Sequence, residues 1–267
     1  MNARALKPEG SARCVGADAF TLIELVVVVG VIAILTALLL PVLSKARAQG
    51  QATACRNHLH QMGLAMGMYV ADHNRYPPMH DWNPGPSFLD NWADKLYPYA
   101  PLSWTNTSWH CPTYIARGGF VQCKRPGYGI KLTVGTSYAY NARGLGLWTS
   151  NPDLGLENAY GHTTIREQQV QAPSQMYTVA DARAYHGKEA RPIYGMPMMI
   201  LWNPPIIWRE AASPHAQGYD ILFADGHVSL VKRKDYLYPP RTAHNWNRDN
   251  QPHPEIWLPK NQWPVQN

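Results

Sequence analysis

His215, Asp181 and Asp225 are side chains of this 267-residue chain whose types could work together, since an imidazole beside two carboxylates can move protons or hold a cation. They would have to converge on the edge of a sheet. Eleven histidines make a chance grouping easy, and Asp225 has a second explanation as the first residue of an Asp-Gly turn. No nucleophile signature accompanies the three, so no catalytic residue is assigned and no reaction is expected. Asp153, Asp220 and Asp225 offer the hard oxygen atoms that calcium takes, but no loop alternates Asp and Asn densely enough to make a site. Turn caps and solvated edge residues are the plainer reading, and no cofactor or metal is assigned. The four cysteines are Cys14, Cys55, Cys111 and Cys123. Spacing favours neither Cys55 nor Cys123 as a partner for Cys111.

The elements that must position these residues begin with an apolar helix. From Phe20 to Leu43 the polar side chains are Thr21, Glu24 and Thr36, over a length sufficient to cross a hydrocarbon core of about 30 Å. A secretory signal peptide would have a shorter apolar core and a small-residue cleavage site, whereas this run passes directly into Ser44, Lys45, Ala46 and Arg47. The span is expected to stay attached. Arg4, Lys7 and Arg13 before it and Lys45 and Arg47 after it barely bias its orientation. The short leader and the long cysteine-bearing remainder place the N-terminus in the cytoplasm and the bulk outside. Glu24, inside the span, is a functional residue by default, because an isolated carboxylate there is costly unless it finds a partner or reaches water at the interface.

Beyond Lys45, Ala52, Cys55, Leu59, Met62, Met66 and Tyr69 recur at steps of three and four, which predicts an amphipathic continuation of the helix to about Asp72. The run His73-Asn74-Arg75-Tyr76-Pro77-Pro78 should stop it. Gly63 and Gly67 either permit close packing against a sheet or are mildly costly helix residues. Strands are expected over Ser137 to Asn141, Met176 to Ala180, Tyr219 to Phe223 and His227 to Val231, the last two joined at Asp225-Gly226 by a two-residue turn with positive φ. The fold class is therefore α+β, a long N-terminal helix on a small antiparallel sheet. Its expected parts are residues 1–19 as leader, 20–43 as the transmembrane half of the helix, 44–72 as its amphipathic half, 73–238 as a β-rich domain, and 239–267 as an irregular extension rich in Pro, Asn and Trp.

Phe20-Thr21-Leu22-Ile23-Glu24-Leu25 followed by an apolar run resembles the start of the type IV prepilin and type II secretion pseudopilin superfamily. The resemblance implies a pilin-like fold and a cut by prepilin peptidase between Ala19 and Phe20, with Phe20 as the methylated new terminus. It implies that Glu24 pairs with the terminal amine of a neighbouring subunit, which would offset its burial, and that Pro41 bends the helix. Ala19 departs from the family, which nearly always has Gly before the cut. A second resemblance is carried by His215, a nine-residue spacer and Asp225-Gly226. Cys55-x-Asn57-x-Leu59-x-Gln61-x-Gly63, Cys111-Pro112 and Ser137-Tyr138-x-x-Asn141 carry it too, and together they match a bacterial prepilin-type group named for the His-spacer-Asp-Gly pattern. It implies a disulfide between Cys55 and Cys111 with Cys123 left over, and pseudopilins suggest calcium for the acidic residues of the sheet region.

The function these features imply is structural: a subunit of a type II secretion pseudopilus or type IV pilus-like filament, anchored in the inner membrane by a single span. Its partners would be other copies or related pseudopilins, the prepilin peptidase, an assembly ATPase and an inner-membrane platform. A net charge of +6 and ten tryptophans admit two rivals. One is a minor pilin-like module that binds DNA or polysaccharide, and the other a membrane-anchored enzyme. The basic residues are scattered and the tryptophans lack a repeat, so nucleic acid is not the expected partner.

Overall fold

A computed structural model describes residues 21–79, 92–100, 110–113, 121–124, 131–134, 137–142, 144, 154–158, 163–181, 215, 218–236 and 238–256. The leader, the bond between Ala19 and Phe20, and Asp153 lie outside them, as do most of the tryptophans. The chain divides into two compact units, Met1–Ala46 and Arg47–Asn267.

Helix α1, Leu22–His73, starts at a reciprocal cap. The Thr21 N–H and hydroxyl donate to Glu24 Oε2 at 2.9 and 2.7 Å, and the Glu24 N–H donates back to Thr21 Oγ1 at 3.4 Å. Thr-x-x-Glu is the capping-box spacing, which satisfies backbone donors that a helix start leaves orphaned. The helix runs through Pro41 unbroken, although the ring removes one backbone donor. Within the first unit every described side chain is exposed, the valines, leucines and isoleucines from Leu22 to Leu43 included. A stretch this long and apolar is sufficient to cross a bilayer.

In the second unit the same helix buries Cys55, Leu59, Met62, Gly63, Ala65, Met66, Tyr69 and Val70. That is one face at helical spacing, and it packs on a sheet as the periodicity predicts. The helix ends one residue past the expected Asp72. Asn74 takes a left-handed φ of 55° and its N–H donates to the Val70 carbonyl at 2.7 Å. Asn is one of the few residues that terminates a helix this way at low cost.

The sheet is antiparallel, in the order β3 (Tyr138–Tyr140), β6 (Tyr177–Asp181), β7 (Gly218–Phe223), β8 (Val228–Lys232). Two further pairs, β1 (Val121–Lys124) with β2 (Lys131–Val134) and β4 (Glu157–Asn158) with β5 (Thr163–Thr164), stand apart from it. The architecture is α+β. The pleat sorts alternate residues to two faces. Tyr138, Tyr140, Val179 and Leu222 join the α1 side. Ala139, Tyr177, Ala180, Tyr219, Ile221 and Phe223 face a second, aromatic cluster with Tyr236, Ala243 and Trp246.

Two expectations are corrected here. The turn at Asp225-Gly226 is not a two-residue one. The Gly226 N–H reaches the Phe223 carbonyl at 3.0 Å and the Phe223 N–H reaches that of His227 at 2.9 Å, which makes Ala224, Asp225 and Gly226 a three-residue loop. Gly226 alone of these has positive φ, at 89°. That arrangement, a tight turn closed by a left-handed glycine, is the usual three-residue hairpin. The segment after residue 238 is also not wholly irregular. After the short helix α2, Trp92–Leu96, come α3, Arg233–Tyr236, and α4, Pro239–Trp246, with prolines at its first turn, where their missing N–H costs nothing. The Asn141 side-chain amide donates to the carbonyls of Tyr177 and Trp246, both at 2.8 Å, and so ties the end of α4 to the sheet.

Candidate functional site

Three motif stretches and the end of one strand meet on the α1 side of the sheet. Cys55 comes from α1 and Cys111 from the Cys-Pro turn. Asp181 ends β6, and His215 bridges back to Gly218 at the start of β7. Their ligand atoms all lie within 4.8 Å of one another, and all four residues are buried. Cross-strand register explains the placement. Tyr138 pairs with Asp181, and because Ala180 pairs with Ile221 the next step sets Asp181 beside Asp220. One row across three strands thus carries Tyr138, Asp181 and Asp220 toward the helix.

The contacts are short and mutual. The Cys55 thiol donates to Asp181 Oδ1 at 2.9 Å, and the Tyr138 hydroxyl lies 3.2 Å from the same sulfur. His215 Nε2 stands 3.7 Å from Cys111 Sγ, 3.4 Å from Asp181 Oδ2 and 3.5 Å from Asp220 Oδ2. A surrounding set fixes these groups. The Asp220 N–H donates to Asp181 Oδ2 at 2.8 Å, the Cys111 N–H donates to Ser137 Oγ at 2.7 Å, and His58 Nδ1 lies 3.2 Å from the Tyr138 hydroxyl. Arg56 Nε approaches Asp220 Oδ1 at 3.4 Å. Asp220 is fully buried, yet neither of its carboxylate oxygens makes a hydrogen bond.

Burial sets the protonation of the group. It pushes the Asp181 carboxyl up to about 8, with Cys111 adding to the rise while His215 and the Cys55 thiol oppose it. Burial, then Cys111 and the Asp181 charge, drive the Cys55 thiol far up. Asp220 is raised by burial against the pull of His215 and Arg56. Burial pulls His215 down, but the Cys111 sulfur and the two carboxylates outweigh it and hold the imidazole above its ordinary value.

By residue type the cluster admits two chemistries, a thiolate nucleophile relayed through His to a carboxylate, or ligation of a cation. Geometry separates them. In a relay the two ring nitrogens face different groups, one the nucleophile and the other the acid. Here a single nitrogen, Nε2, faces the sulfur and both carboxylates, so the donors converge on a common centre rather than forming a chain. Cys55 and Cys111 are also wholly buried, away from any substrate arriving from solvent.

Two of the expected trio thus meet. His215 and Asp181 meet, while Asp225 sits in the hairpin loop with its carboxylate 2.6 Å from His227 Nδ1. Of the calcium candidates, Asp153 lies outside the described residues, Asp220 is buried beside His215 and Arg56, and Asp225 is in that loop. Cys55 and Cys111 do meet, as the implied disulfide requires, but both are carried as thiols. The sequence reading missed Asp220 and Tyr138 as neighbours of the pair, for which register is the only signal. It also missed the Thr21-x-x-Glu24 cap, which was legible as a motif. Pro41 lies inside the helix, where its place was expected.

Comparison with known proteins adds one finding. Residues 44–112 match the model of a family described as a protein of unknown function (DUF1559). The matched stretch contains Cys55 and Cys111 but neither Asp181 nor His215. No curated protein and no solved structure matches the chain.

Proposed function

We propose that the chain is a pilin-like subunit, held in a membrane by the first half of α1 and assembled through that half into a secretion-type or pilus-type filament. The observation that carries the reading is the exposed apolar run of α1 from Leu22 to Leu43, headed by Glu24 and continuous in sequence with a helical face that packs on an antiparallel sheet. Exposed apolar surface on this scale marks a lipid or protein partner. The DUF1559 match over residues 44–112 hints in the same direction.

Glu24 fits the role chemically. Both of its hydrogen bonds from Thr21 fall on Oε2, which leaves Oε1 for a second partner. A cut before Phe20 would create an amine in the chain next to that cap, and the amine of one subunit could pair with the carboxylate of another. Once out of lipid, apolar helices joined head to tail make a contact that does not close, and such contacts build fibres. Peptidase, ATPase and platform are the partners this requires, and the chain performs no reaction of its own.

Mass analysis of the N-terminus, in cells with and without their prepilin peptidase, tests the reading. With the peptidase the chain should begin at N-methylated Phe20; without it, at Met1. An intact Met1 in both strains would refute it. Ala19→Gly should increase the processed fraction.

A further inference from the structure

We propose that Cys55, Cys111, Asp181 and His215 form a four-ligand site for a divalent zinc-type ion that clamps α1, the Cys-Pro turn and the sheet together. The inference concerns the folded domain alone and does not rest on the filament reading.

Donor type is the first argument. Two thiols, an imidazole and a carboxylate are the ligands that zinc takes in closed tetrahedral sites, whereas calcium takes six to eight oxygens. Distance is the second. With Zn–S, Zn–N and Zn–O bonds of ordinary length, the edges of the tetrahedron are about 3.3–3.8 Å. The cluster already shows 2.9 Å from Cys55 Sγ to Asp181 Oδ1, 3.4 Å from Asp181 Oδ2 to His215 Nε2 and 3.7 Å from His215 Nε2 to Cys111 Sγ, and one ligand atom from each residue lies within 4.8 Å of the others. Small side-chain adjustments would seat an ion at the centre.

The surroundings are those of a ligated ion. The Tyr138 hydroxyl meets the Cys55 sulfur and the Asp220 N–H holds Asp181 Oδ2, so ligand orientation is fixed from outside the first layer. Asp220 supplies an independent sign. Its two fully buried oxygens lack hydrogen bonds, and Oδ2 lies 3.5 Å from the convergent nitrogen of His215. A buried carboxylate without hydrogen bonds is costly unless cationic groups face it, and those that do are Arg56, about half exposed, at 3.4 Å and His215 at 3.5 Å. The four ligands come from positions 55, 111, 181 and 215, so an ion would cross-link most of the domain as a disulfide between two of them would not.

The test uses the full chain purified in detergent under non-oxidising conditions. Metal analysis should find about one zinc per chain, as one closed site requires. Chelation should lower the melting temperature, expose two thiols to a thiol reagent, and be reversed by added zinc. Cobalt added to the chelated wild type should give the intense visible bands of a tetrahedral site with a thiolate charge-transfer band in the near ultraviolet. Tyr138→Phe should keep the fold and weaken zinc binding about 10- to 100-fold, while Asp225→Ala should leave it unchanged. Since Cys111→Ser or His215→Ala could unfold the domain, the cobalt spectrum of the wild type decides. Absence of metal with both thiols reactive, an octahedral cobalt spectrum, or a chain closed by a Cys55–Cys111 disulfide that takes no metal would each overturn the proposal.

Discussion

The two halves of α1 form one helix under two sets of rules. From Cys55 to Val70 the exposed and buried positions alternate at helical spacing, and each buried side chain has a partner within its own chain. From Leu22 to Leu43 the side chains, Glu24 and Thr36 apart, are apolar and exposed on all sides. A helix hydrophobic all round is at home in lipid or among other helices, while a helix with one apolar face belongs on a sheet. The difference teaches that the sequence of the first half is specified by an environment the monomer does not contain.

The sharpest way to break the comparison is to charge the middle of the first half. Val31→Arg with Leu35→Arg should abolish membrane retention, because each charge costs about 2.5–3.5 kcal/mol at a helix centre. The melting temperature of the folded domain should not move. Fractionation with alkaline extraction, paired with a melt, reads both. The converse is Leu59→Ala in the second half. It should destabilise the domain by about 2–5 kcal/mol through a cavity under the sheet and leave membrane retention intact. Loss of both properties in either variant would deny that the halves are separately specified.

A finer cut lies within the second half. A Cβ at Gly63 would stand 2.7 Å from Leu222 Cδ1 and 3.1 Å from the Gly226 carbonyl oxygen, whereas one at Gly67 would meet nothing within 4 Å. Gly63→Ala should therefore cost about 1–3 kcal/mol by overpacking, and Gly67→Ala should gain about 0.4–1 kcal/mol by restricting the unfolded chain. Denaturant titration of the two variants separates them by sign. The smallest effect is expected at His253. Burial pulls the His253 imidazole down, but Asp249 and Glu255, at 2.7 and 2.8 Å, raise it above its ordinary value. The stability this supplies is full below the unfolded histidine pKa and is lost as pH rises through the higher folded one. It should stay below about 1 kcal/mol, as part-exposed pairs do. His253→Asn, which suits the left-handed backbone there, should remove that pH dependence and change neither membrane retention nor assembly.

How far the sequence carried depends on how local each signal is. The face of α1 and the four strands of the sheet were legible, since periods of three to four and of two are written within a dozen residues. The hairpin loop was placed but mis-sized, because an Asp-Gly pair fits both a two-residue turn and the end of a three-residue one. Helix α4 was hidden by its prolines, which break a helix in its middle and start it well at its first turn. The convergent cluster was the least legible part. Cys55 and Asp181 are 126 residues apart, and only strand register brings Asp181 and Asp220 under the helix. The motifs that carry the resemblance had already marked Cys55, Cys111 and His215, but as signatures rather than as neighbours.

In the proposed assembly Glu24 is where the first half acquires its partner, so the assembly state of Glu24→Ala tests the central claim most directly. Filaments sheared from cells should contain the wild-type chain and none of the variant. Mass analysis should show that both chains begin at methylated Phe20, which separates failed assembly from failed processing. If the processed variant appears in the sheared fraction at the wild-type level, Glu24 is no more than the cap of a helix, and the account of the first half as an assembly element is wrong.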